Sequence, residues 1–247
     1  MTHRVSAFIA LILFAPAAAC AAARDVAPAE VSKSSKAPRP SKAPSKPASK
    51  PAAKPAKLPA RLQEIEKKYA EAATFTAKFV QIKEVAALKS IERSEGRIYL
   101  KRPDKVRWET HDPDANVLVS DGKVFWFYTP PFDEGERGQV IIRRATQVQT
   151  RFASSLLSGA FSRIEGTEIE AHGASRFTIV PAPGTAGDVL SAEVTVSPSK
   201  LIVTKVVLSH AGGNRSEIAL SMVELGRKLG DEMFVFQAPP DTDVLRE

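Results

Sequence analysis

From Leu58 onward the chain places Leu62, Ile65, Tyr69 and Ala72 at helical spacing among charged residues, which predicts one amphipathic helix at the start of a folded region. The apolar period then shortens to two. Residues 75–83 and 97–102 alternate in the way strands do. Residues 116–120 and 123–128 read as the arms of a hairpin around Asp121-Gly122, a pair suited to the two positive-φ positions of a type I′ turn. Pro130-Pro131 ends that strand and leads into a polar loop. A second helical stretch over 145–158 sets Val148, Phe152, Leu156 and Leu157 on one side, with Gly159 placed to cap its C-terminus. Strand patterns follow over 176–180, 189–196, 201–208 and 215–225, separated by turn signals at Pro183-Gly184, Pro198-Ser199 and Gly212-Gly213-Asn214. Many antiparallel strands with only two helices predict a mainly β domain built on one large curved sheet.

Period two also assigns faces. Ile98, Leu100 and Arg102 share one side of their strand, and Arg97, Tyr99 and Lys101 the other. Arg102 therefore points with the apolar side, where a guanidinium requires carbonyls, a carboxylate or water. Beyond Pro103, Val106 and Trp108 share a face opposite Lys105, Arg107 and Glu109. In the hairpin, Val117, Val119, Val124 and Trp126 fall together and are expected on the covered, concave side, although Phe125 and Phe127 blur that assignment. Each of these apolar residues fits an ordinary core as well as the wall of a binding cavity.

Charge changes the picture at the N-terminus. The formal net charge of +7 suggests an anionic partner until its location is considered. Eight Lys and Arg and no acid lie within residues 31–57, whereas residues 58–247 hold 25 basic and 26 acidic residues. The folded part is near neutral, and nucleic acid is not expected as a partner. Residues 24–57, rich in Ala, Pro, Lys and Ser, cannot bury enough surface to offset their ordering entropy and predict an extended linker. Before it, His3 and Arg4, an apolar run from Val5 to Phe14, Pro16 and a string of alanines read as an export signal over 1–23. Cys20 is the single cysteine, so an intrachain disulfide is impossible. Cleavage with lipidation at Cys20 and ordinary cleavage near Ala19 or Ala23 both fit; Ala17 stands where a lipoprotein signal normally carries Leu. The domain proper is assigned to 58–247.

Catalytic motifs are lacking. His3, His111, His172 and His210 are isolated in sequence without metal-ligand spacing, and neither a Gly-x-Ser-x-Gly elbow nor a glycine-rich phosphate loop occurs. The expectation is a protein that is not an enzyme and uses neither metal nor cofactor.

The run Gly96-Arg97-Ile98-Tyr99-Leu100-Lys101-Arg102-Pro103-Asp104-Lys105-Val106-Arg107-Trp108-Glu109, followed by Val119-Ser120-Asp121-Gly122-Lys123-Val124-Phe125-Trp126-Phe127-Tyr128, closely resembles the periplasmic outer-membrane lipoprotein carrier family, LolA. Phe75-Thr76-Ala77-Lys78-Phe79-Val80-Gln81 and Phe234-Val235-Phe236-Gln237-Ala238-Pro239 with Asp243-Val244 resemble its first strand and C-terminal signature. The resemblance implies an unclosed antiparallel β-barrel with an apolar concave face under a helical lid. It also implies a monomeric periplasmic chaperone that carries triacylated lipoproteins from an inner-membrane releasing transporter to an outer-membrane acceptor. Arg102 matches the family's latch arginine, which bonds lid carbonyls. The cavity wall is then expected from Phe79, Ile98, Leu100, Val106, Trp108, Val117, Val119, Val124 and Trp126, and the lid from Leu62, Ile65, Tyr69, Val148 and Phe152. The basic linker and Cys20 depart from the soluble carrier and leave open a membrane-tethered acceptor or lipid-binding module of the same fold. A non-lipid envelope adaptor or sensor is the further alternative.

Overall fold

The computed structural model describes residues 58–144, 148–164 and 166–246, and within the second helix the side chains from Phe152 onward. The export signal, the linker, Cys20 and the side chain of Val148 lie outside the described residues. Helix α1 (Ala60–Ala72) turns the spacing of Leu62, Ile65 and Tyr69 into one buried stripe and ends where Ala73 adopts a left-handed conformation at φ 59°. Strands β1 (Thr74–Val85), β2 (Ser90–Lys101), β3 (Lys105–Asp112), β4 (Asn116–Ser120), β5 (Val124–Thr129) and β6 (Gly138–Arg144) follow. After α2 (Val148–Leu157) come β7 (Glu168–His172), β8 (Arg176–Val180), β9 (Val189–Ser197), β10 (Ile202–His210), β11 (Arg215–Leu225) and β12 (Thr242–Arg246).

The described strands form one 12-stranded sheet in the order β12-β6-β5-β4-β3-β2-β1-β11-β10-β9-β8-β7. It runs open from β12 at one edge to β7 at the other, so the unclosed, mainly β architecture is correct. Its pairs are antiparallel except β6 with β12, which are parallel. That exception arises because the segment after β11 first crosses the sheet and then enters alongside β6, a return that parallel pairing requires.

Register divides the sheet into two faces. Phe75, Ala77 and Phe79 lie opposite Leu100, Ile98 and Gly96, and Ile98 and Leu100 lie opposite Trp108 and Val106. These residues share the concave face with α1, whose Tyr69 ring stacks on Phe75 at 5.7 Å. Gly96 is required there. A Cβ at this position would collide with the Glu109 carbonyl oxygen and come within 2.9 Å of the Phe79 ring, and the β2–β3 register slips beside it between Glu95 and Gly96.

Two sequence expectations are corrected. Trp108 lies opposite Leu118, and Leu118 and Ser120 lie opposite Phe127 and Phe125, so the concave side of the hairpin is Leu118, Ser120, Phe125 and Phe127. Val117, Val119, Val124 and Trp126 do share a face, but it is the convex one. The reason is that both sides of this end of the sheet are covered: Phe234, fully buried, and Phe236, whose ring lies 5.2 Å from Tyr128, belong to the crossing segment on the convex side. The second correction concerns the turn. Residues 121–123 form a three-residue connection in which Asp121 Oδ1 accepts from the N–H groups of Lys123 and Val124, at 2.8 and 2.9 Å, with positive φ at Gly122 but not at Asp121. The carboxylate replaces the backbone pairing of a type I′ turn.

Candidate functional site

The second helix was expected to cover the same face as α1, and it does. Phe152, Ala153, Leu156 and Leu157 are buried on α2, and Gly159 ends the helix at φ 63° with Tyr69 of α1 packed beside it. Phe161, in a short 3-10 turn (Phe161–Arg163), continues the apolar layer. Glu66 of α1 ties that turn down by accepting from the Ser162 hydroxyl at 2.6 Å.

Arg102 sits where β2 turns towards β3, half-buried, with its guanidinium directed at the helices. Its Nη2 donates to the carbonyl oxygen of Ser158, just past α2, at 3.0 Å, and its backbone N–H donates to the Ala73 carbonyl at the end of α1 at 2.9 Å. One residue thus joins the sheet corner to both helices. Burial pulls the Arg102 pKa below its ordinary value; the carboxylate of Glu66 opposes this and the neighbouring Arg163 adds to it. Arg163 reinforces the corner by donating to the Pro103 carbonyl at 2.9 Å and pairing with Asp104 at 2.9 Å. Period two alone places Arg102 with Ile98 and Leu100, and that direction is what brings it to the two helices.

Beside Arg102 lies a cleft of about 420 Å³, counting the space at its open mouth, lined by Tyr69, Phe75, Leu100, Val106, Ser158 and Arg163 among others. Away from it the concave face is filled by side chains: Phe79, Ile98, Trp108 and Leu118 are 3% exposed or less. Of the expected wall, Phe79, Ile98, Leu100, Val106 and Trp108 are together on this face, whereas Val117, Val119, Val124 and Trp126 are not. Of the expected lid, Leu62, Ile65, Tyr69 and Phe152 are buried against it. Phe125 and Phe127 were missed as wall residues, although they are the two that disturbed the hairpin pattern.

Tyr69 anchors α1 from within. Its hydroxyl oxygen accepts from the backbone N–H of Val203 on β10 at 3.0 Å, and burial pushes its pKa up from 10.0 to about 12, partly offset by that bond. The unfolded chain releases this proton near pH 10 and the folded one near pH 12. Stability that is complete below pH 10 is therefore lost between pH 10 and 12, by roughly 2–3 kcal/mol. Urea unfolding across that window should show the decline, and Tyr69→Phe should remove that part of it. An equally steep decline in Tyr69→Phe would assign it to other groups.

His210 is not isolated in space. Its Nε2 lies 3.0 Å from the Ser216 hydroxyl, and Asp188 Oδ2 lies 3.2 Å from Nδ1, off the line of a hydrogen bond. Ser216 is fully buried, so its hydroxyl leaves no room for a substrate carbonyl, and the trio reads as a buried polar network. Among the described residues no group of three or more His, Cys, Asp or Glu is placed to hold a metal, and no helix is long and apolar enough to cross a membrane.

These features define a class: an unclosed β half-barrel whose apolar inner face packs against two helices, with an arginine joining the sheet corner to both. The model of the outer membrane lipoprotein carrier protein LolA matches residues 70–237, and the chain belongs to that family. It is 31% identical over 190 residues to the outer-membrane lipoprotein carrier protein of Azotobacter vinelandii, covering 75% of this chain and 88% of that one. It is 29% identical over 179 residues to the corresponding protein of Pseudomonas aeruginosa strain UCBPP-PA14, covering 72% and 83%. A solved LolA superfamily protein from Nitrosomonas europaea matches with a TM-score of 0.42 at 12% identity, covering 71% of this chain and 97% of that one. The family is one of carriers rather than enzymes.

Proposed function

We propose that the chain is a periplasmic carrier that lodges the acyl chains of triacylated lipoproteins on its concave face after α1 and α2 lift away. It takes them from an inner-membrane releasing transporter and delivers them to an outer-membrane acceptor, without catalysis and as a monomer. Residues 1–23 direct export, residues 24–57 form a spacer, and Cys20 is either removed with the signal or lipidated as a tether. Membership of a lipoprotein carrier family supports this reading. The observation that carries it is the Arg102 to Ser158 bond, which spans from the sheet corner to a helix covering an apolar face. Each methylene buried there gains about 0.8 kcal/mol, so the face need only be exposed to take up a fatty chain.

Opening the lid breaks that bond, and a charged donor to a carbonyl is worth about 1.5–3 kcal/mol when well buried. Arg102 is only half-buried, so the lower end applies. Arg102→Leu should then raise the share of open molecules and tighten acyl-chain retention by about tenfold. Periplasmic pull-downs with both forms check this. Wild type should bring down lipoproteins, and Arg102→Leu should hold them through longer washing. If neither form carries any lipoprotein, the carrier reading fails.

A further inference from the structure

The concave face carries a polar spot within its apolar wall. Trp108 and Thr110 point inward from β3, 3% and 4% exposed, and Asn116 lies directly opposite Thr110 on β4. Among the described residues, Trp108 Nε1, Thr110 Oγ1 and Asn116 Oδ1 are buried atoms without a hydrogen-bond partner in the protein. The Asn116 amide nitrogen is already committed to the Asp114 carbonyl at 3.2 Å, which turns Oδ1 into the free end. A buried indole N–H nearly always finds a partner, and each unpaired buried group costs stability that an apolar side chain of the same shape would not. Three such atoms thus belong to neighbouring positions on the face that also holds Phe79, Ile98 and Leu100.

We propose that this cluster is a subsite for the acyl linkages of the cargo lipid: carbonyl oxygens of ester or amide groups accept from Trp108 Nε1 and Thr110 Oγ1, and an amide N–H donates to Asn116 Oδ1. This rests on the proposed acyl-chain carrier function and adds to it a recognition of how the chain is attached. The complement is chemically specific. Two donors and one acceptor match an acylated amide together with an ester, whereas a hydrocarbon or a free charged carboxylate satisfies at most part of the set. The subsite is separate from the latch: Thr110 pairs with Gly96, six residues before Arg102, or about 20 Å along the strand at about 3.3 Å per residue. Variants at Thr110 therefore leave the lid bonds in place.

Thr110→Val keeps shape and removes one donor; Trp108→Phe removes one donor and part of the indole but keeps a ring to pack against Phe79, whose centroid lies 4.6 Å from that of Trp108. Two probes are compared by fluorescence displacement on the full chain. One is a synthetic lipopeptide with two ester-linked and one amide-linked palmitoyl chains, and the other is its analogue with both esters replaced by ethers. Wild type should prefer the ester lipopeptide by about five- to tenfold, and at least one of the two variants should reduce that preference by about fivefold. Thr110→Val should also melt no lower than wild type, since it removes an unpaired hydroxyl from the interior. An ester-to-ether ratio unchanged by both variants overturns the subsite and assigns these atoms to buried water. If wild type binds neither probe, the carrier function itself falls.

Discussion

Phe234→Ala should remove about 3–5 kcal/mol of stability, the amount expected when a fully buried aromatic ring is truncated. The ring lies in the 3-10 turn Asp231–Phe234, within the segment that leaves β11, crosses the convex face and ends as β12. Polar contacts also hold this segment. Lys101 Nζ donates to the Leu229 carbonyl and to Asp231, each at 2.8 Å or less, Lys105 pairs with Asp231 at 2.9 Å, and Arg107 Nη1 donates to the Met233 carbonyl at 3.2 Å. The two lysines hold the Asp231 carboxyl down to about 2, so the clasp persists through mild acid. Yet that carboxylate is largely exposed, and exposed ion pairs contribute little. The ring should dominate: Phe234→Ala lowers the melting temperature by roughly 6–20 °C, whereas Asp231→Asn moves it by only a few degrees. Calorimetry on the two variants decides. A Phe234→Ala protein that melts within a degree or two of wild type would mean that the crossing segment is not part of the cooperative core.

The strands this segment covers are also where the sequence was hardest to read. The amphipathic stripe of α1 was legible because its opposite face is densely charged, and β1 to β3 because Lys78, Arg97 and Arg107 alternate with large apolar residues. The side taken by Arg102 was legible for the same reason: strict alternation carried it to the face of Ile98 and Leu100. In β4 and β5 alternation fails, since Val117, Val119 and Trp126 on one face and Leu118, Phe125 and Phe127 on the other are all apolar. A strand covered on both faces has no polar side to orient it, and only pairing with Trp108 settles which side faces the lid. Edge strands escaped for the opposite reason. β7 is Glu168-Ile169-Glu170-Ala171-His172, short and mostly exposed, and β12 is exposed along nearly its whole length, so neither leaves a burial pattern. The polar subsite could not be foreseen, because a Thr and an Asn far apart in function but paired across two strands look like ordinary strand and turn residues.

Whether α1 is a gate or simply core can be decided by where the damage from Ile65→Ala appears. Ile65 is fully buried, so its truncation costs about 2–5 kcal/mol. Apart from the bonds of Glu66, Tyr69 and the Ala73 carbonyl, α1 has little else to hold it. Its 13 residues are near the length at which an isolated helix is marginal, Pro59 provides no side-chain cap, and no acid lies in the first turn to favour the helix dipole. Packing of Leu62, Ile65 and Tyr69 on the sheet is therefore what keeps it down. If the helix can lift while the sheet stays intact, and lifting costs less than the truncation, Ile65→Ala populates the lifted state and global stability falls only by the free energy of lifting. Amide exchange in α1 should then accelerate by about 30-fold or more in Ile65→Ala, while protection in β1, β2 and β11 and the urea midpoint fall clearly less than in Ile98→Ala. Ile98→Ala is the control: the residue is equally buried, but its strand lies between β1 and β3, so truncation must lower global stability and speed exchange throughout the sheet. Matching behaviour of the two variants, with protection lost everywhere, would make α1 an inseparable part of the core. An inner face that cannot be uncovered without unfolding the sheet has no way to admit an acyl chain.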